Sequence, residues 1–570
     1  MGLVNGALQI GRSALLAYQS ALQVVGQNVS NAGTDTYARQ TPLLSSNTGV
    51  VLPEGFMPGG GVTLSTLRRN VDASLDGRLR VALGDQADAL IQQQALGRIE
   101  SVLNELSDSD LSSLMQEFFN SFSTLQNTPH DLGARGMVIT AGQTLISEIQ
   151  RQRVEVLALR DELNADTESS VQRADQLAAE IADLNRQITS IESPGTGAAA
   201  ALRDKRDVLL RELGEIVQIQ VREQPDNGVN VYIGNELFIS GGINRGLTTT
   251  LETVNQEPRV VVRFADNNRE VSLTGGELAG LATARDVHVL GHVDALNGLA
   301  RALINEVNKV HASGQGLNGF ESVTGAIDVL RSDVALNSAN AGLQLTPRNG
   351  SFVLYLTNTQ VSPPSRVATT ITVNLSGVGA GETLDSLAAK IDAVDNITAE
   401  VTADNKLKLT AADGCEISFG EDSSYVLAAL GINTFFTGTN AQDLSINPLL
   451  VNNQNLLAAA TQHTEGDGSN AGALAALATT SLTGLRGQSL SSYYAAIASD
   501  VAVRSAAASA GVESAGAITS ALTSQREAIS GVSLDEETIS MLRFERAFSA
   551  AARYTTVVDG LLQELLAIVA

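Results

Sequence analysis

His288 and His292 stand four residues apart in a stretch that reads as helix, the spacing that sets two imidazoles on one face as a metal pair requires. No Glu follows the first His in the H-E-x-x-H manner and no third ligand is evident, so structural histidines are expected. Gly195-Thr196-Gly197-Ala198-Ala199-Ala200 has the look of a dinucleotide loop. It follows a helix that stops at Pro194-Gly195, not a strand, which removes the geometry that aims a helix N-terminus at pyrophosphate. Cys415 lies beside Gly414 in an expected turn, with no base identified for a thiolate, and reads as inert. Neither G-x-x-x-x-G-K-[ST] nor G-x-S-x-G occurs. The residues therefore nominate no catalytic group, no metal and no cofactor, and an enzyme is not expected.

The informative patterns are those that position helices. Ser533 lies three residues before Glu536, the spacing of a capping box, and Asp535, Glu536 and Glu537 put negative charge where the helix dipole favours it. From there Met541, Phe544, Phe548, Ala551, Val558, Leu562, Leu565 and Val569 alternate by threes and fours, broken only at Thr555. That is a coiled-coil seam. A second seam opens the chain: Leu8, Leu15, Leu22 and Val29 at sevenfold spacing, with Gly11, Tyr18 and Val25 between them. Asn5 is the expected N-cap and Asn31-Ala32-Gly33 the expected stop.

Burying about eight such side chains yields roughly 12 to 24 kcal/mol at ~1.5–3 each. Ordering about thirty-five residues costs on the order of 1–2 kcal/mol per residue in backbone entropy. A single seam is insufficient, so the termini are expected to be poorly ordered in a lone chain and to gain a second buried face only from neighbouring subunits.

The 570 residues carry a net charge of −25 with five lysines, which excludes the basic stripe of a nucleic-acid surface. Hydrophobic residues make up 43% and aromatic ones 4%, with no Trp, as in a globular chain whose bulk comes from Ala and Leu. Cys415 is the sole cysteine, so no disulfide forms within the chain. The N-terminal residues through Gly11 lack the basic n-region of a secretory signal, and no apolar run approaches ~18 residues, so neither a cleaved signal nor a membrane span is expected.

In order, the chain reads as a terminal helix (1–35), a β-rich connector (36–70), a helical bundle (71–213), a small β domain (214–275), a helix returning to the bundle (276–313), an inserted α+β domain (314–455), more bundle (456–530) and the C-terminal helix (531–570). Strands are expected at 50–52 and 62–64 in the connector. The bundle shows heptad-like stripes, among them Val138, Leu145, Ile149, Val156, Leu159 and Leu163, with the Ser107 to Asp110 cluster stopping one helix and capping the next. Period-two alternation marks strands at 217–221 and 230–233 around Asp226-Asn227-Gly228, then at 260–264 and 271–273. In the insertion, strands are expected at 352–356 and 370–375, a helix at 384–394, and a hairpin of 399–401 with 406–410 around Asp404-Asn405; residues 471–529 return to Ala-rich helix. The fold class is mainly α with β modules: terminal coiled-coil helices and a long helical bundle, with inserted antiparallel β and α+β domains.

Asn28-Val29-Ser30-Asn31-Ala32-Gly33-Thr34-Asp35-Thr36-Tyr37-Ala38-Arg39-Gln40 resembles the N-I-A-N-x-x-T-P-G-Y-S-R-Q signature of the flagellar hook-associated family, matching at Asn28, Asn31, Thr34, Tyr37, Arg39 and Gln40. Ser530-Gly531-Val532-Ser533-Leu534-Asp535-Glu536-Glu537 is similar to that family's S-G-V-N-L-D-E-E, and Phe435-Phe436-Thr437-Gly438 extends the likeness. Asp35-Thr36 replaces Pro-Gly and Ser533 replaces Asn. The resemblance implies an elongated axial protein, a structural adaptor at the hook–filament junction needed for filament assembly and motility. It also implies unfolded export through the flagellar channel, copies of itself in a helical or tubular assembly, the hook protein and the next hook-associated protein as neighbours, and a cytoplasmic export chaperone on the C-terminal helix. Asn28, Asn31 and Thr34 read equally as helix termination and as a loop meeting a neighbouring subunit. Two rivals are another axial component, hook protein or flagellin-like, and a secreted enzyme on a flagellar scaffold.

Overall fold

The computed structural model describes residues 2–48, 59–103, 110–192, 197–254, 257–377, 381–462 and 466–569. Its helices are α1 (Gly2–Ser30), α2 (Ala73–Leu103), α3 (Leu111–Asn127), α4 (Leu132–Ile191), α5 (Ala200–Ile216), α6 (Glu277–Thr283), α7 (Leu290–Ala312), α8 (Leu384–Asp392), α9 (Val426–Ala429), α10 (Pro448–Asn452), α11 (Ser469–Ala476), α12 (Leu490–Ser530) and α13 (Leu534–Val569). The long ones follow their apolar stripes: every bundle position from Val138 to Leu163 named above is buried on α4, together with Ala174, Leu177, Ile181, Leu184 and Ile188 beyond it. Asp110 caps α3, its carboxylate accepting the Ser113 N–H at 2.5 Å. The rest of the Ser107–Asp110 cluster lies outside the described residues, as do the expected strand 50–52, Pro194 and the first two residues of the 195–200 loop.

Two units divide the chain: residues 1–94, 161–285 and 506–570 form one, and residues 95–160 and 286–505 the other. In the first, β1 (Gln40–Ser46) pairs antiparallel with β2 (Val62–Arg69), and β3 (Ile219–Glu223), β4 (Val229–Ile233), β5 (Glu236–Ser240) and β6 (Ile243–Asn244) form a meander; β7 (Leu247–Val254) pairs with β8 (Glu257–Phe264). Asn227 takes φ 65 in the β3–β4 turn, a left-handed geometry that Asn accepts more readily than most residues. Residues 271–273 are not a strand; Val271 only bonds Val262 O, since Gly275-Gly276 turns the chain into α6, with Gly276 at φ 87.

In the second unit, β10 (Gly350–Asn358) lies between β11 (Ser365–Val373) and β14 (Cys415–Gly420). β13 (Leu407–Ala411) lies between β12 (Ile397–Val401) and β9 (Ser322–Thr324), and β15 (Phe436–Thr437) pairs with β16 (Ser445–Ile446). Cys415 therefore opens a strand, buried opposite Asn358, and does not sit in a turn. One apolar core runs through α3, α4, α7 and these sheets. At its centre Phe435 and Phe436 stack edge to face at 4.7 Å and both lie 5.6 Å from Phe118. Asn308 Oδ1 accepts both of their backbone N–H groups, at 3.0 and 2.9 Å. Residues 477–489 interrupt the expected 471–529 helix, with a 3₁₀ turn at Thr483–Leu485 ending on Arg486 in the left-handed region.

Candidate functional site

α1 and α13 pack on each other, and the β1–β2 hairpin covers part of α1. The helix begins at Gly2, so Asn5 is inside it and does not cap it. Gly11, Ala17, Ala21, Val25 and Asn28 are the buried positions of α1, while Leu8, Leu15, Tyr18, Leu22 and Val29 are half-buried. On α13, Ala551 and Val558 are buried, Phe544, Phe548 and Leu562 half-buried, and Met541 exposed; the side chain of Leu565 lies outside the described residues. The break in the α13 stripe has a counterpart. Thr555 lies over Gly11, where an added Cβ would come within 2.4 Å of its Oγ1, so glycine permits the close approach. The expectation that each seam finds its second face only on a neighbouring subunit is thus corrected: the two ends cover each other, so the burial that one seam lacked is shared between two helices and a hairpin.

The close of α1 and the start of α13 are joined by a clasp. Asn28, 1% exposed, donates from Nδ2 to Gln40 O at 2.8 Å and to Glu537 Oε2 at 2.9 Å. Its Oδ1 accepts the Tyr37 hydroxyl at 2.7 Å and the Gln40 N–H at 3.1 Å. Arg39 forms a fork to Glu537 Oε1 at 2.8 Å and also pairs with Glu536. Its backbone is held too, the N–H donating to Ser530 O at 2.9 Å and the C=O accepting from Asn70 N. Arg526 on α12 donates to Asp35 O at 2.8 Å. Glu537 is 2% exposed, and its charge is compensated by Arg39 and Asn28. Burial, with Asp204 and Glu537 nearby, pushes the Tyr37 hydroxyl up to about 12, so it remains a donor at neutral pH.

The other motif residues act locally. Asn31 Nδ2 donates to Gln27 O at 2.8 Å, and Thr34 N to Asn31 O at 3.0 Å, which ends α1 and turns the chain. Asp35 and Thr36 avoid positive φ, so the replacement of Pro-Gly leaves no strain. Ser533 Oγ accepts the Glu536 N–H at 3.5 Å, a weak cap, because Glu536 is directed to Arg39. Gly531 is required by its turn: a Cβ there would lie 2.3 Å from Glu527 O. Glu537, Ala17 and Ala21 are buried positions that sequence reasoning did not single out as contacts. Glu537 was legible only as a dipole complement, and the alanines only as spacing-four small residues beside Gly11.

His288 and His292 do share a face and line one cleft, but among the described residues no group of three or more His, Cys, Asp or Glu is placed to hold a metal. Burial drops His292 to about 4.

With the clasp in view, comparison with known proteins is decisive. A family model described as the flagellar hook-associated protein FlgK helical domain matches residues 96–326, and one described as the flagellar basal body rod FlgEFG protein C-terminal matches residues 510–568. Flagellar hook-associated protein 1 of Escherichia coli (strain K12) is 27% identical over 575 residues, covering 99% of this chain and 99% of the relative. From end to end the chain is similar to flagellar hook-associated protein 1. Other hook-associated proteins 1 align as completely: that of Salmonella typhimurium (strain LT2) is 25% identical over 99% of both chains, and that of Bacillus subtilis (strain 168) 25% over 98% of this chain and 97% of its own. The solved flagellar hook junction protein FlgK from Burkholderia pseudomallei shares the fold, with a TM-score of 0.50 at 15% identity over 80% of this chain and 100% of that one. The two motifs that carry the family resemblance in this sequence are the two halves of the clasp.

Proposed function

We propose that this protein is the structural adaptor at the hook–filament junction of a bacterial flagellum and that it assembles through its clasped terminal helices. The observation that carries this reading is the end-to-end match to hook-associated proteins 1, combined with convergence of both terminal motifs on Glu537. Once α1 and α13 have covered each other's seams, Leu16 on α1 and Ile539, Leu542, Val557 and Leu561 on α13 stay exposed. That outer apolar face is where copies of the chain, the hook protein and the next hook-associated protein meet it. A cleft of about 530 Å³ beside the clasp, lined in part by Thr34, Asp35, Ile529 and Val532, adds a polar rim to the same end. Before assembly the chain is exported unfolded, and a cytoplasmic chaperone shields the C-terminal helix.

The rod-type C-terminal match is shared by axial proteins in general; the helical-domain match at 96–326 favours the junction component over hook protein or flagellin. The same relatives are flagellar structural proteins, which supports reading this chain as a structural part. Deleting the coding sequence should leave hooks without filaments in electron micrographs and abolish swimming, and re-expression should restore both. Re-expression of Phe548→Asp with Leu562→Asp should restore neither. Filaments on the deletion strain, or swimming with the double variant, would overturn the reading.

A further inference from the structure

The second unit contains a groove that the assembly function does not use. Its floor is the stripe Gly291, Ala295, Gly298 and Ala302 on α7, with the Tyr493 hydroxyl of α12 resting on Gly298, where a Cβ would lie 2.9 Å from it. Two adjoining cavities, of about 250 and 520 Å³, share Tyr493 and Gln488 as common walls. The first is mostly apolar, with Leu96, Ile99 and Ile497, yet it holds His292. That imidazole is 5% exposed, and among the described residues neither ring nitrogen has a hydrogen-bond partner. A buried polar group in that condition is costly unless something meets it. The second cavity holds Arg301 and Arg486, and Glu306 also lines it, its carboxylate taken by Lys309 Nζ at 2.6 Å. Among the described residues neither guanidinium has a carboxylate partner; Arg301 only donates to Asn297 O on its own helix. Arg486 is further held at φ 57, a left-handed backbone that a non-glycine residue adopts at a cost, which presents it at the mouth.

We propose that this groove binds a small organic anion, a carboxylate on an apolar body ending in a hydroxyl. The carboxylate is received by Arg301 and Arg486, the body passes the Tyr493 side chain above the Gly/Ala floor, and the hydroxyl donates to the unprotonated nitrogen of the neutral His292 ring. Nine residues of helix separate Arg301 from His292, about 13 Å of rise and half a turn about the axis, so the two side chains border the floor from opposite sides and an aryl carboxylate that crosses it meets a hydrogen-bonding group at each end. In a chain of net charge −25, two guanidinium groups without carboxylate partners in one concavity are the charge complement that such an anion requires.

The test is isothermal titration of the intact chain with para-hydroxyphenylpropionate, alongside phenylpropionate, which lacks the hydroxyl, and para-ethylphenol, which lacks the carboxylate. Saturable binding is expected, weakened about tenfold or more by Arg486→Ala, a substitution at an exposed loop position. Loss of either polar end of the probe should weaken binding to the wild type by a similar factor. In His292→Phe, loss of the hydroxyl should make no difference. Absence of saturable binding overturns the proposal, and so does binding indifferent to Arg486→Ala and to the hydroxyl. Far-ultraviolet circular dichroism of each variant separates lost binding from lost fold. Because the groove lies outside the terminal helices, swimming in Arg486→Ala cells should be normal, so failure here and failure of the assembly reading are distinguishable.

Discussion

At the residue scale the clasp depends on one amide. Asn28 presents a donor to the Glu537 carboxylate and an acceptor to the Tyr37 hydroxyl, and only an amide of that length does both. Asn28→Asp keeps the size but sets one carboxylate against another, so it should destabilise the terminal pairing by about 2–4 kcal/mol and more than Asn28→Ala. Amide exchange across α1 and the first turns of α13 measures the loss. His311 offers a second test. Its Nδ1 donates to Asn433 O at 2.8 Å and its Nε2 accepts the Ala458 N–H at 3.0 Å, which fixes the neutral tautomer in a fully buried site. Burial drops both His311 and His292 to about 4 from the usual 6.5. A depressed folded-state value means the unfolded chain takes up the protons first as pH falls. The stabilisation is therefore whole above pH ~6.5 and is lost progressively towards pH ~4, on the order of 3 kcal/mol for each ring. Urea denaturation at stepped pH should show this decline, with a shallower slope in His311→Gln.

At the scale of elements, the α1–α13 pair is specified by a mismatch that matches: the polar break at Thr555 lies over the side-chain-free Gly11. Elsewhere along the pair either residue alone would weaken a seam; together they fix its register. Gly11→Leu should force the helices apart near that level and leave Ala17, Ala21 and Val25 incompletely covered. Overpacking of this kind costs about 1–3 kcal/mol. Amide exchange of residues 545–562 should quicken while α3, α4 and α7 keep their protection. The inserted module behaves differently from its sequence description. Phe435 and Phe436 bind it to the bundle through Phe118 and Asn308, so it shares a core with α3 and α7 and is no detachable appendage.

At the scale of the whole molecule, charge governs association. A subunit at −25 repels its copies, and this long-range term is screened within about 8–10 Å at physiological salt. The clasp's own charges are mostly buried and feel salt less. Polymerisation of purified chains should therefore accelerate as salt is raised from low to physiological strength, with little change in the stability of the single chain; light scattering and denaturation at matched salt separate the two.

Much of this was legible in order of residues. The long helices followed from apolar period, the hairpins from Asp226-Asn227-Gly228 and Asp404-Asn405, and the family from two short motifs. What the chain alone determined is which segments are helix or strand and which faces are apolar, because these depend on neighbours within a few residues. Only the tertiary structure decided that Asn28 and Glu537, 509 positions apart, occupy one site, that alanines and not leucines form the close contact of α1, and that Cys415 opens a strand. Those outcomes depend on which distant surface arrives, and no local spacing records its arrival.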